Sequence, residues 1–493
     1  MNSGKPASST TEESMPDPHE RLETGQIIDQ FRLEERLHQG GMAHLWRVTR
    51  IDGIDPGLPL LMKVPRIKGG EDPATIVGFE VEQMLMPRLS GRHVPRFVAR
   101  GDWTRQAYIV MELIPGETLR PRLDQAPLPV DELVQIGIKV ATALHDLHRQ
   151  HVVHLDIKPS NIMFRESGEA VLVDYGLSRH DHLPDLLEEE FALPIGTGPY
   201  MSPEQVQFVR NDPRSDLFAL GVMLYHLATG ERPFGQPNSV AGLRRRLYID
   251  PTPPLALRPD LPPWLQEVIL HCLEVKPERR YQSAAQLALD LQNPDSITLT
   301  SRATRLHTSG LVKRIKRWFF ALGAEAEAHA KRSSSEQIAR SRIVLAAVDV
   351  EGATDGLLDQ LLETVGRVLK MEPGARLACV SVMKTARIGM DELTDAQGRS
   401  HHVKQLVALK HWARPLSQSL KLEDGRMTFH VLQAPDPATA LIEFATKMGV
   451  DHIVMGARDN SALRRYLGSV SARVVAESEC SVTVVRDTSK RSL

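Results

Sequence analysis

The run His154-Leu155-Asp156-Ile157-Lys158-Pro159-Ser160-Asn161 puts a carboxylate, an ammonium and an amide on one short stretch, at Asp156, Lys158 and Asn161. In-line phosphoryl transfer asks a protein mainly for positioning and charge, so a base, a cation and a metal ligand within a few Å of one phosphate suit it. Three other pieces fit the same chemistry. Asp174-Tyr175-Gly176 follows the apolar run Ala170–Val173, and a carboxylate at a strand end suits a hard Mg2+ that also touches phosphate oxygens. Lys63, in Leu60-Leu61-Met62-Lys63-Val64, can pair with α- and β-phosphates, with Glu82 on the helical stretch Ile76–Leu89 as its counter-ion. Gly40-Gly41 lies between two β-like runs, where backbone amides could cover phosphates. Singly each piece is ordinary: a strand lysine beside a helix glutamate is usually a solvated pair, and Gly-Gly usually marks a hairpin. Their order along the chain carries the argument.

The elements that must hold these groups can be read from periodicity. β-like runs come first (Phe31–Leu37, Leu45–Ile51, Leu60–Val64, Tyr108–Leu113), followed by helical periods such as Val130–His148 and Leu217–Thr229. This predicts an α+β body over 28–291, a sheet lobe followed by a helical lobe. Residues 342–487 alternate strand and helix, which predicts an α/β doubly wound parallel sheet. Within it, Asp436 as N-cap, Pro437 in the first turn and Gly449 at the end delimit one helix. Residues 1–27 are expected to form a disordered tail, 292–341 a linker holding one helix, and 488–493 a short tail.

Composition bounds the rest. At roughly 150 residues per domain, 493 residues predict two or three domains. Lys+Arg 60 against Asp+Glu 62 leaves a net charge of -2, which argues against a nucleic-acid partner. The three cysteines, Cys272, Cys379 and Cys480, are too far apart for a CxxC-type zinc site or a disulfide scaffold. With no apolar run of about 20 residues and no apolar signal core, a cytoplasmic protein is expected.

With Gly196–Glu204 (GTGPYMSPE), Arg214–Gly221 (RSDLFALG) and Lys276–Tyr281 (KPERRY) added to the four pieces, residues 28–291 resemble a eukaryotic-type Ser/Thr protein kinase. The resemblance implies ATP and Mg2+ as cofactors and protein Ser/Thr hydroxyls as acceptors, including the chain's own. It implies that Asp156 orients the acceptor hydroxyl, Lys158 touches the γ-phosphate, Asn161 and Asp174 hold Mg2+, and Lys63 works with Glu82. Glu112 and Leu113 join Gly40, Gly41 and Lys63 as nucleotide-binding candidates. Glu204 is expected to pair with Arg280, and Asp216 to brace the loop bearing Asp156. His154 is read as a packed, structural imidazole.

The pattern is broken in places. His38 and Ala43 stand where the family's glycine loop has its first and third glycines, and Leu61 replaces a smaller roof over the adenine. These changes favour a rival reading, a nucleotide-binding pseudokinase serving as scaffold or switch; the intact Lys63, Asp156, Asn161 and Asp174 oppose it. Leu155 replaces the arginine that in the family binds an activation-segment phosphate through a charged fork. Phosphorylation there is therefore not expected to switch the protein. Glu188-Glu189-Glu190 is read as a solvated acidic loop.

Gly456 to Val470 (GARDNSALRRYLGSV) follows a strand and enters a helix, with Gly468-Ser469 at the helix start. Together with Asp349 at the end of the first strand, this resembles a universal stress protein domain. By that resemblance Asp349, Gly456, Gly468 and Ser469 are candidate nucleotide ligands, although Asp459 stands where a second glycine is expected. A stress-sensing role and homodimerisation through the terminal strand SVTVVR are expected. In the linker Leu311, Val312, Ile315, Trp318, Phe319 and Leu322 share a helical face among basic residues. Such a helix either docks between the two domains, the preferred reading, or lies on an anionic membrane.

Overall fold

The computed structural model describes residues 22–39, 43–66, 73–191, 194–308, 317–318, 342–385, 400–420, 422, 425–457 and 468–487. The first sheet is antiparallel, in the order β1-β2-β3-β4-β6-β5. Its strands are β1 (Ile27–Ile28), β2 (Phe31–Gln39), β3 (Ala43–Arg50), β4 (Leu60–Pro65), β5 (Phe97–Arg100) and β6 (Ile109–Glu112). Strand side chains alternate between faces. In β4, Leu60, Met62 and Val64 therefore join Phe31, Leu33, Trp46 and Val48 on one face, leaving Lys63 on the other. That second face is where α1 (Pro73–Leu85) packs, its Ile76, Val77 and Phe79 sharing a cluster with Ile109 and Met111 of β6. The sheet starts earlier than the expected tail boundary, because Ile27 pairs with Arg32 and Leu22 packs on the sheet's core.

The helical body is built on α2 (Val130–His148), α5 (Arg214–Thr229), α8 (Pro263–Cys272) and α9 (Ala284–Gln292), with α2 against α5 and α9. The shorter α3 (Leu186–Glu190), α4 (Pro203–Val206), α6 (Val240–Arg244) and α7 (Pro254–Leu257) lie along the intervening chain. Between α2 and α5 run four short strands, β7 (Val152–Val153), β8 (Ile162–Phe164), β9 (Ala170–Leu172) and β10 (Arg179–His180). β7 pairs with β10 and β8 with β9, so the loop 154–161 and the turn after β9 emerge side by side beneath the sheet lobe.

The second sheet is wholly parallel, in the order β13-β12-β11-β14-β15. Its strands are β11 (Ile343–Ala347), β12 (Arg376–Lys384), β13 (Met427–Ala434), β14 (His452–Ala457) and β15 (Ser481–Arg486). Helices Asp355–Met371 and His401–Leu420 cover one face through Leu357, Leu361, Val365, Leu409 and Leu416. Pro437–Met448 and Ser469–Glu477 cover the other through Leu441, Phe444 and Val474. Both expected fold classes are present. All three cysteines are free thiols. Of the expected linker helix, only Arg317 and Trp318 fall within the described residues, so its docking surface lies outside them.

One expectation is overturned: Glu188–Glu190 is not a solvated loop. It forms the end of α3, and the Glu189 and Glu190 side chains are about 5% exposed, covered by β12, β13 and helix 401–420. Val403, Leu406 and Val431 of the second half lie in one apolar cluster with Ile76, Phe79, Leu186 and Leu187 of the first.

Candidate active site

The loop after β7 is held from below. Asp216, in the first turn of α5 and fully buried, accepts hydrogen bonds from the amides of His154 and Leu155, both at 2.8 Å, and lies 2.9 Å from His148 Nε2. Leu155 (φ 64°) and Asp174 (φ 68°) both adopt left-handed backbone conformations. Such conformations cost roughly 1–3 kcal/mol each and persist only where the surroundings over-determine them. At Leu155 the fixing bonds are those to Asp216, plus Gln205 Nε2 donating to the Leu155 carbonyl at 2.8 Å. His154 is buried against Tyr175, ring centroids 5.1 Å apart, as a structural imidazole should be.

Above that brace the polar groups form a knot. Lys158 Nζ donates to Asp156 Oδ2 at 2.6 Å and to Thr197 Oγ1 at 3.0 Å, while Thr197 Oγ1 donates to Asp156 Oδ1 at 2.6 Å. Asn161 Nδ2 donates to the Asp156 carbonyl (3.0 Å) and to its Oδ2 (3.1 Å). With its nitrogen so committed, Asn161 keeps Oδ1 for a ligand; a long 3.4 Å contact from Ser160 is its other bond. The Val173 amide donates to the Asn161 carbonyl at 3.0 Å, which brings Asp174 alongside. Asn161 Oδ1 and the Asp174 carboxylate are a pair of hard oxygen donors, the set a Mg2+ shared with phosphates would use.

Lys63 joins the lobes. Its Nζ donates to Glu82 Oε2 at 2.6 Å and to Asp174 Oδ1 at 2.9 Å. Burial alone would lower the Lys63 pKa, but the two carboxylates outweigh it and raise it above its ordinary value, so the ammonium stays charged. The same ammonium holds the Asp174 carboxyl down at about 2. α1 can come this close because Gly78 has no side chain; a Cβ there would stand 3.1 Å from the Gly176 carbonyl oxygen.

Gly40 and Gly41 lie outside the described residues. Near them, His38 is exposed, on the sheet face that by register also carries Leu45 and Lys63, and Ala43 is buried opposite Pro65. Leu61 is partly buried on the cluster that holds Met111. At the end of β6, Arg165 binds the Glu112 carboxylate and the Leu113 amide donates to the Pro59 carbonyl at 2.8 Å. Leu113 thus has no amide to offer a base. The next amide, that of Ile114, makes no backbone hydrogen bond among the described residues, a detail no sequence pattern reports.

Glu204 and Arg280 form the expected pair, fully buried and bidentate at 2.6 and 2.7 Å. Sequence reasoning missed Arg246. Its guanidinium is buried, donates to the Gly198 carbonyl at 2.7 Å and also to that of Met201, and fixes the stretch after Thr197. Burial with only carbonyl partners pushes its pKa down to about 10.

In the second sheet, Asp349, Gly456 and Gly468-Ser469 all lie at the carboxyl ends of β11 and β14, where the strand order reverses and open α/β sheets keep their crevice. Their local duties are structural: Asp349 Oδ1 accepts the Gly352 amide at 3.0 Å, and a Cβ on Gly456 would stand 3.0 Å from Leu357 Cδ2. Gly468 is the N-cap of the helix that Ser469 begins. Asp459 lies outside the described residues.

The family described as "Protein kinase domain" matches residues 67–290, and the "Universal stress protein family" matches 340–486. Serine/threonine-protein kinase PknL of Mycobacterium tuberculosis is 31% identical over 274 residues, which cover 55% of this chain and 67% of that protein. Serine/threonine-protein kinase PknB of Mycolicibacterium smegmatis is 33% identical over 296 residues, 57% of this chain and 46% of the relative. PknB of Mycobacterium leprae is 32% identical over 272 residues, 54% and 43%.

Proposed function

The chain belongs to the serine/threonine protein kinases, and from that premise we propose that it transfers the γ-phosphoryl group of ATP, with Mg2+, to Ser and Thr hydroxyls of proteins, its own included. The observation that carries this reading is Lys63 Nζ bonded at once to Glu82 and Asp174, since a strand lysine, a helix glutamate and a metal-binding aspartate must meet before phosphoryl transfer can proceed. Lys63 neutralises the α- and β-phosphates while Glu82 fixes its position. Asp156 orients the acceptor hydroxyl and takes its proton, and Lys158 balances charge on the γ-phosphate. Asn161 Oδ1 and Asp174 would hold the metal, which when bound would supply charge neutralisation for the phosphates. At the purine edge Glu112 offers its carbonyl and Ile114 its amide. The scaffold alternative finds no support among the relatives.

The second domain is proposed to bind a nucleotide at the carboxyl ends of β11 and β14 and to pair with a second copy along β15, the sheet's edge strand. Work in the cytoplasm is part of the same proposal; among the described residues no helix is long and apolar enough to cross a membrane. The test is transfer of label from γ-labelled ATP with Mg2+ to casein and to the chain itself. Wild type should label both and Asp156→Asn neither; equal label in the two proteins, or none in wild type, defeats the proposal.

A further inference from the structure

Loops that gate phosphoryl transfer are commonly ordered when a phosphate on the loop meets an arginine. Here neither half of that arrangement is available. Leu155 is buried where the resemblance places the arginine. The segment from Asp174 to Glu204 contains three Ser/Thr hydroxyls, Ser178, Thr197 and Ser202. All are engaged: Ser178 donates to the His154 carbonyl (3.0 Å), Thr197 to Asp156 (2.6 Å) and Ser202 to Ser215 (3.0 Å).

The segment is nonetheless pinned at both ends of α3. At its start Asp185 caps the helix and accepts from Arg210 Nε at 2.7 Å. At its end Arg376, the first residue of β12, donates through both terminal nitrogens to the Glu189 carboxylate at 2.7 and 2.5 Å. Arg376 is oriented by a 2.8 Å bond to Thr428 Oγ1, and His430 Nε2 stands 3.2 Å from Glu189. Lys447 reaches the carbonyls of Glu189 and Phe191 at 3.3 and 3.4 Å. On the adjoining face of α1, Lys410 pairs with Glu80, two residues from Glu82, its ammonium 5.9 Å from the Trp103 ring and 5.2 Å from that of Phe429.

We propose that Arg376 is a positioning residue for phosphoryl transfer. From the second domain it supplies the guanidinium fork that the catalytic loop lacks, and it grips the fixed carboxylate of Glu189 in place of a phosphate. The clamp sets α3 against α1 and so keeps Glu82 on Lys63. A bidentate charged pair suits this task because it fixes direction as well as distance. The stress domain thereby acts as a built-in activator, and anything that lifts it off the kinase half lowers turnover.

The inference rests on the kinase reading, and the full-length chain with Mg2+, ATP and casein tests the two separately. Arg376→Ala should lower kcat about 30-fold with the KM for ATP within about threefold, since it removes no group that touches purine or phosphate and Lys63 keeps Asp174 as a partner. Arg376→Lys keeps the charge, loses the fork and should recover part of kcat. Glu189→Arg combined with Arg376→Glu should exceed either single variant by about tenfold. Thermal melts identify the folded variants; if Arg376→Ala does not fold, the lysine variant and the exchanged pair decide. Wild-type kcat in Arg376→Ala, a loss carried by KM, or an exchanged pair no better than its singles overturns the assignment while leaving the kinase reading intact. An inactive wild type defeats the kinase reading instead.

Discussion

The two halves of the chain each gather polar residues at the mouth of a sheet, yet they fix them differently. Around Asp156 nearly every charged group has partners from distant elements: Lys63 reaches 19 and 111 residues along the chain, and Asp156 is bound by Thr197, 41 residues on. At the ends of β11 and β14 each candidate has a local duty: Asp349 closes a turn with Gly352, Gly456 clears room for Leu357, and Gly468 starts a helix. Long-range convergence of charge is expensive to assemble and points to chemistry. Residues with local duties would be there with or without a ligand.

The largest effect that can test this contrast should come from the brace beneath the first site. Glu204→Ala leaves Arg280 buried without its partner and should destabilise the protein by about 3–5 kcal/mol, read by chemical denaturation. Lys63→Met should leave the fold standing but reduce phosphoryl transfer about 100-fold in a steady-state assay, because it removes fixed charge from the phosphates. In the second half, Gly456→Ala should cost about 1–3 kcal/mol by crowding Leu357 and leave transfer by the folded fraction unchanged. Smallest of all, Asp349→Ala should keep transfer within about twofold of wild type while abolishing any nucleotide uptake by the second domain, measured by calorimetry with Lys63→Met as background. Loss of transfer in Asp349→Ala would show that the two regions are less different than their hydrogen bonds suggest.

Much of the architecture was legible because it rests on local rules. Strand and helix alternation placed every element of the second sheet, and Gly449 closes helix 437–448 in a left-handed conformation (φ 58°) as its type implied. Asp436 occupies the N-cap position, but its carboxylate takes a bond from Thr439 at 2.6 Å and pairs with Arg473 instead of capping an amide. The cluster of Lys63, Glu82, Asp156, Lys158, Asn161 and Asp174 was legible for another reason: the resemblance carries spacing that a single periodicity cannot. What remained hidden depended on contacts between remote segments. Nothing in Glu188-Glu189-Glu190 announces that Arg376, 187 residues from Glu189, will bury it. Hydrophobic pattern reports which face of an element is covered, not what covers it. Arg246 and the Ile114 amide escaped for a kindred reason, since each acts through backbone groups that leave no mark on residue type.

The apolar cluster running from Ile76 and Leu187 through to Val403 and Val431 has a thermodynamic corollary. Units that meet across a wet seam melt independently, whereas units that share a dry interior lose it together. Scanning calorimetry of the intact chain should therefore record a single endotherm, and a fragment cut off after residue 308 should bare a greasy strip and precipitate.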